Sequence, residues 1–147
     1  MIKELSIEDE TLYNNLGLII NSNFINLYKL DHILNNHFDF IYGYYDKNEL
    51  VGFIHVTKLY ENMDINNIVV SEKYRNKGIA TALINFAISQ FSDLKNVFLE
   101  VNDKNINAVN LYKKLGFKVI DVRMRYYGVN DALIMQKEVF LWKMLIF

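Results

Sequence analysis

Two groups of residues in this chain have the types and spacing to do chemistry. The first is Arg75-Asn76-Lys77-Gly78-Ile79-Ala80, where loop-forming residues from Ser71 onward give way to an apolar run at helical spacing. The first amides of a helix have no partner inside it, and the helix dipole adds partial positive charge at that end. Gly78 and Ala80 are small enough for a phosphate to approach the backbone, and Arg75 and Lys77 bring two cations. The same residues equally fit an ordinary glycine helix start with two solvated bases. The second group centres on Glu100, which lies between Leu99 and Val101 in a strand-like run. A half-buried carboxyl is a better proton acceptor than a solvated one. Strand alternation also allows it to face water.

These groups need elements to carry them. Residues 8–21 repeat Leu12, Leu16, Ile19 and Ile20 at helical spacing, and 25–36 read as a shorter helix. The period then changes. Residues 38–45 are aromatic and strand-like, 46–49 form a turn, and 50–56 return as the second strand of a hairpin. A third strand covers 63–70. The loop 71–78 leads into an amphipathic helix over 79–91. A buried strand at 97–101, a helix at 105–115 closed by Gly116, and strands at 117–127 and 132–141 complete the order. Strand–helix–strand in the middle implies one parallel pair with a crossover. The fold class is therefore α/β, a mixed sheet covered by helices on both faces.

Composition narrows the function. The chain has 147 residues, 52% of them apolar, and a net charge of -1, which suits one domain spanning 1–147 and no general nucleic-acid surface. It has no Cys, and its three His lack ligand spacing, so neither a disulfide nor a metal site is expected. The opening residues do not read as a secretory signal, and the apolar tail 136–147 is too short to span a bilayer. A cytoplasmic protein is expected, a monomer or a homodimer for which the tail is a candidate contact.

The motifs then become specific. Arg75-Asn76-Lys77-Gly78-Ile79-Ala80 resembles the Arg/Gln-x-x-Gly-x-Gly/Ala signature of the GNAT acetyltransferase superfamily. The run Leu99-Glu100-Val101-Asn102 through Asn105, Tyr112 and Gly116-Phe117 resembles its second signature. Together with Arg123-Met124-Arg125-Tyr126-Tyr127, it is similar to the ribosomal-protein-alanine N-acetyltransferase branch. The resemblance runs from about residue 50 to 135. It implies an acyl-CoA N-acyltransferase fold, a mostly antiparallel sheet with one parallel pair splayed at the cofactor, and acetyl-CoA as cofactor. Val69 and Val70 would pair with the pantetheine arm, Arg75 through Ala80 would wrap the pyrophosphate, and Asn105 would touch the coenzyme. Glu100 would be the catalytic base and Tyr112 the acid. Asp64, where many relatives carry a carboxylate, would be a rival base or shape the acceptor site. Tyr126 and Tyr127 would hold a peptide backbone.

An α-amine has an ordinary pKa of roughly 7.7–8.0 against about 10.4 for lysine, so it is partly neutral already and a modest base suffices. A phenol near 10 giving its proton to a thiolate near 8.5 is uphill by about 2 kcal/mol, so Tyr112 also reads as a hydrogen-bond donor to the sulfur. Asn23-Phe24-Ile25-Asn26 stands where the ribosomal branch has a Trp- and Pro-containing segment. The resemblance nevertheless implies a protein N-terminal α-amine of the ribosomal-protein-alanine type as the acceptor, with a small amine, polyamine, antibiotic or lysine side chain as the alternative. A coenzyme A-binding module without catalysis is the reading from another class.

Overall fold

The computed structural model describes residues 1–139. In chain order its elements are β1 (Ile2–Glu4), α1 (Glu10–Ile20), α2 (Phe24–Leu27), α3 (Leu30–Leu34), β2 (Asp39–Asp46), β3 (Glu49–Leu59) and β4 (Asn62–Val70). Then follow α4 (Ile79–Ser89), β5 (Asn96–Asn102), α5 (Ile106–Lys114), β6 (Lys118–Tyr127) and β7 (Asn130–Glu138). The seven strands hydrogen-bond in the order β1-β2-β3-β4-β5-β7-β6. The β4–β5 pair is parallel, as the crossover requires. Its register runs from Asn62↔Asn96 to Ile65↔Leu99, and both strands continue beyond it.

The chain forms two compact units. One is Met1–Lys58 with Asn66–Gln90, and the other is Leu59–Ile65 with Phe91 onward. In the first, β2 and β3 make a hairpin closed by Lys47 and Asn48 at φ 50° and 68°, the paired left-handed turn that matches strand twist. Successive β2 residues face opposite sides. Ile41 and Tyr45 join Tyr13, Phe24, Leu30 and Phe53 in a core under α1–α3. Tyr42, on the other side, meets Phe86 of α4 edge-on at 5.2 Å. Helices thus cover both sheet faces within this one unit.

One expectation is corrected here, and one further strand is found. The helix expected over 25–36 is two short helices, because Tyr28 leaves helical geometry (φ -132°, ψ 68°) and its carbonyl accepts the buried Tyr13 hydroxyl at 2.8 Å. The strand β1 carries no sequence signal: it is three residues long, two of them charged. It forms because Ile2, Lys3 and Glu4 pair with Tyr44, Gly43 and Tyr42.

In the second unit, Val97, Leu99 and Val101 of β5 pack inward with Val109, Tyr112, Phe117 and Met135. Gly116 ends α5 at φ 94°. The Phe117 amide bonds Tyr112 O and the Gly116 amide bonds Lys113 O, satisfying carbonyls the helix leaves open. The last strand ends at Glu138. Of the tail 136–147, residues 140–147 lie outside the described part of the chain. No described helix is long and apolar enough to cross a membrane.

Candidate functional site

The phosphate-type turn lies in the first unit. The helix α4 starts at Gly78, whose φ of 79° is left-handed, and a side chain there would meet nothing within 4 Å. Glycine is thus demanded by conformation, while the space beside it is open. Asn76 is also left-handed at φ 62°, a conformation its short amide tolerates. Left-handed residues on either side of Lys77 give the kind of backbone that makes anion-binding concavities.

The first hydrogen bond of the helix is donated by the Ala82 amide to Gly78 O at 3.0 Å. Among the described residues, the amides of Ile79, Ala80 and Thr81 have no acceptor. The dipole of an eleven-residue helix points at them. These donors fit an anionic diphosphate, as does the open space at Gly78. The two expected cations are held to the protein surface. Arg75 Nε donates to Val70 O at 3.2 Å, and Lys77 Nζ lies 5.3 Å from the Tyr74 ring. Tyr74 in turn donates to Asp46 Oδ2 at 3.0 Å, and that bond raises its phenol. Val70 O thus already accepts a side-chain donor. Val69 O lies on the β3 side, 2.9 Å from where a Cβ on Gly52 would stand.

The carboxylates lie in the second unit. Asp64 is in register with Phe98, so Asp64, Phe98 and Glu100 share one face of the β4–β5 pair. Glu100 is two residues further along its strand than Phe98, a rise of about 7 Å. Glu100 lies on the outer face of β5 while Leu99 and Val101 take the buried one, and its side chain is partly buried, with 31% of it exposed. Hydrogen bonding, not burial, holds its carboxylate. Tyr127 Oη donates to Oε2 at 3.0 Å and Arg123 Nη1 donates to Oε1 at 3.3 Å. Arg123 also lies over the Tyr126 ring at 5.6 Å, and Tyr126 meets Tyr127 at 5.2 Å with rings nearly perpendicular. Burial and the Glu100 bond push the Tyr127 phenol up to about 12, so it stays a donor at ordinary pH. Asp64 has no partner among the described residues, and partial desolvation raises its carboxyl although it stands on an exposed strand face.

A bulge assembles this cluster. Arg123 pairs with Ala132 and Tyr127 with Asn130, so four steps on β6 match two on β7. Arg125 takes the strain at φ 54°, its amide bonded to Asp131 Oδ1 at 2.8 Å. Such a bulge bends a strand and re-aims its side chains. Ala132 is fully buried and small, which leaves room for Arg123 to cross β7 toward Glu100. Arg123 was present in the motif but had no signal of a role, because neither Gly nor Pro marks the bulge.

Tyr112 is buried in the same unit, edge-on to Phe117 at 5.9 Å, and desolvation raises its phenol. Among the described residues its hydroxyl has no hydrogen-bond partner. Asn105 caps α5, its Oδ1 accepting from the Ala108 amide at 3.3 Å, which leaves its Nδ2 as the side-chain group to reach a ligand.

The sequence pattern described as Acetyltransferase (GNAT) family matches residues 9–117. An N-alpha-acetyltransferase of Sulfurisphaera tokodaii is 43% identical over 68 residues, covering 44% of this chain and 41% of that protein. A streptothricin acetyltransferase of Escherichia coli is 34% identical over 107 residues, covering 69% of this chain and 62% of that protein. This chain thus spans less than two thirds of the length of either relative. The crystal structure of the ribosomal-protein-S18-alanine N-acetyltransferase from Escherichia coli superposes with a TM-score of 0.79 at 20% identity, over 96% of this chain and 94% of that one.

Proposed function

The chain belongs to the acetyltransferase (GNAT) family, and from that membership we propose that it transfers acetyl from acetyl-CoA to a protein N-terminal α-amine. The observation that carries the cofactor part is the start of α4. Three unpartnered amides, an open glycine and a helix dipole support a diphosphate at this turn. Arg75, Asn76, Lys77, Gly78, Ile79 and Ala80 would hold the diphosphate, Val69 and Val70 the pantetheine arm, and Asn105 a further coenzyme group. When bound, the cofactor supplies an acetyl group activated as a thioester.

Glu100 is the proposed base. It takes a proton from the attacking amine, directly or through one water, while Tyr127 and Arg123 keep its two oxygens oriented. A carboxylate has about four lone-pair positions, so two donors leave it room for the amine. Tyr112 keeps its proton. Its raised phenol makes full transfer to a thiolate costlier than for a free tyrosine, so it hydrogen-bonds the departing sulfur instead. Asp64 shapes the acceptor side on the same face. Tyr126 offers a ring and a hydroxyl to an extended chain.

The α-amine acceptor is supported by the name of the Sulfurisphaera relative. The streptothricin enzyme favours a second reading, a small amine acceptor. Two measurements test the proposal. Acetyl-CoA at 100 times its dissociation constant should stabilise the protein by about 2.7 kcal/mol in a thermal melt. Mass spectrometry of an alanine-initiated peptide after incubation with enzyme and acetyl-CoA should place acetate on the α-nitrogen. Acetate on a lysine side chain, or only on a small amine, overturns the acceptor. No thermal shift overturns the cofactor site.

A further inference from the structure

The Arg123–Glu100 pair has a consequence for which amines the site accepts. The inference rests on the proposal that the acceptor amine docks at Glu100. A guanidinium donates to Oε1 of that carboxylate at 3.3 Å. It is held there from behind, because Arg123 stacks over Tyr126, and Tyr126 braces Tyr127, which donates to Oε2. Arginine stays protonated at any working pH. An amine reaching Glu100 therefore arrives next to a fixed positive charge. An amine that arrives neutral feels little of it. For one that carries further ammonium groups, the guanidinium offsets the attraction that the Glu100 carboxylate alone would exert.

We infer that Arg123 is a specificity-determining residue that selects acceptors by charge, disfavouring polyamines, which keep further ammonium groups when the reacting nitrogen is neutral. A polyamine differs from a monoamine acceptor in this respect. An α-amine, with a pKa of about 7.7–8.0, and a lysine at about 10.4 are both mainly ammonium near neutrality and are separated little, whereas a polyamine keeps further charges beside the reacting nitrogen. Unit charges roughly 6 Å apart at an effective dielectric near 40, between surface and bulk values, change an equilibrium about tenfold. Arg123 is half exposed, so the effect is screened by salt. Tyr127 acts as a positioning residue: it fixes Oε2 so that the carboxylate cannot swing away from the guanidinium.

The test compares initial rates on three acceptors. They are a lysine-free peptide with a free N-terminal alanine, an N-terminally blocked peptide with one lysine, and spermidine. The enzymes are the full chain, Arg123→Gln, Arg123→Lys and Glu100→Gln. Arg123→Gln should raise kcat/KM for spermidine, relative to both peptides, by about tenfold, while Arg123→Lys keeps the original ratio. In the unaltered protein the discrimination should shrink as salt rises, and in Arg123→Gln it should not. The salt series stands alone should Arg123→Gln fail to fold. An unchanged ratio in Arg123→Gln, a salt-independent ratio in the unaltered protein, or a native preference for spermidine overturns the inference. Glu100→Gln separates the layers. Loss of α-amine acetylation there, with an unmoved ratio in Arg123→Gln, sinks the charge filter and leaves the proposed base standing. Full activity in Glu100→Gln removes both.

Discussion

Replacing Gly78 separates two demands that meet at one residue. At φ 79° an alanine pays the left-handed penalty of about 1–2 kcal/mol. No protein atom lies within 4 Å of the new Cβ, so no clash adds to it. For a chain of this size that is a fall in Tm of about 2–8 °C. Asparagine tolerates the left-handed region, so Gly78→Asn should recover most of that loss. Both substitutions nevertheless put a Cβ into the space where a diphosphate would meet the amides of Ile79 and Ala80. Losing one charge-assisted hydrogen bond there costs about 1.5–3 kcal/mol, or roughly 10- to 150-fold in acetyl-CoA affinity. Thermal melts without ligand read the first effect, and titration calorimetry with acetyl-CoA reads the second. Gly78→Asn should thus look nearly native in stability and poor in binding. Unchanged acetyl-CoA affinity in both variants would refute the diphosphate turn, and a fully stable Gly78→Ala would refute the backbone argument.

Three other perturbations test the rest of the molecule. Gly17→Ala should destabilise despite the roughly 1 kcal/mol that alanine adds inside a helix, because its Cβ would lie 2.0 Å from the buried Phe24 ring; urea melts should show a net loss of about 1–2 kcal/mol, and a gain would contradict the packing. His55 is buried with Nε2 3.1 Å from Asp39 Oδ1, and desolvation lowers its pKa against the pull of that carboxylate. The unfolded chain then binds the proton more readily, so stability is full above about 6.5 and falls as pH drops below it; urea melts across that range should show a slope that His55→Gln flattens, and an equal slope would remove His55 as the cause. Glu100→Gln should lower kcat by about 100-fold or more while Asp64→Asn mainly raises KM; the reverse pattern in steady-state kinetics would make Asp64 the base.

Much of this protein was readable from its residues in order. Period-2 and period-3.6 apolar patterns placed β2 through β5, α1, α4 and α5, because alternation and helical spacing are local consequences of burying one face. Gly78 and Gly116 marked both ends of helices at positive φ, a demand only the local backbone makes. What tertiary structure alone decided is the company each side chain keeps. The strand β1 exists only because β2 offers it an edge, and the break at Tyr28 exists because Tyr13 reaches its carbonyl from another helix. Glu100 fits a buried or an exposed strand position equally well in sequence; register against β4 and β7 put it on the open face, and a bulge at Arg125 brought Arg123 and Tyr127 to it. Such pairings join residues more than twenty positions apart, and no local pattern records them, since they depend on how strands align after the chain has closed its loops.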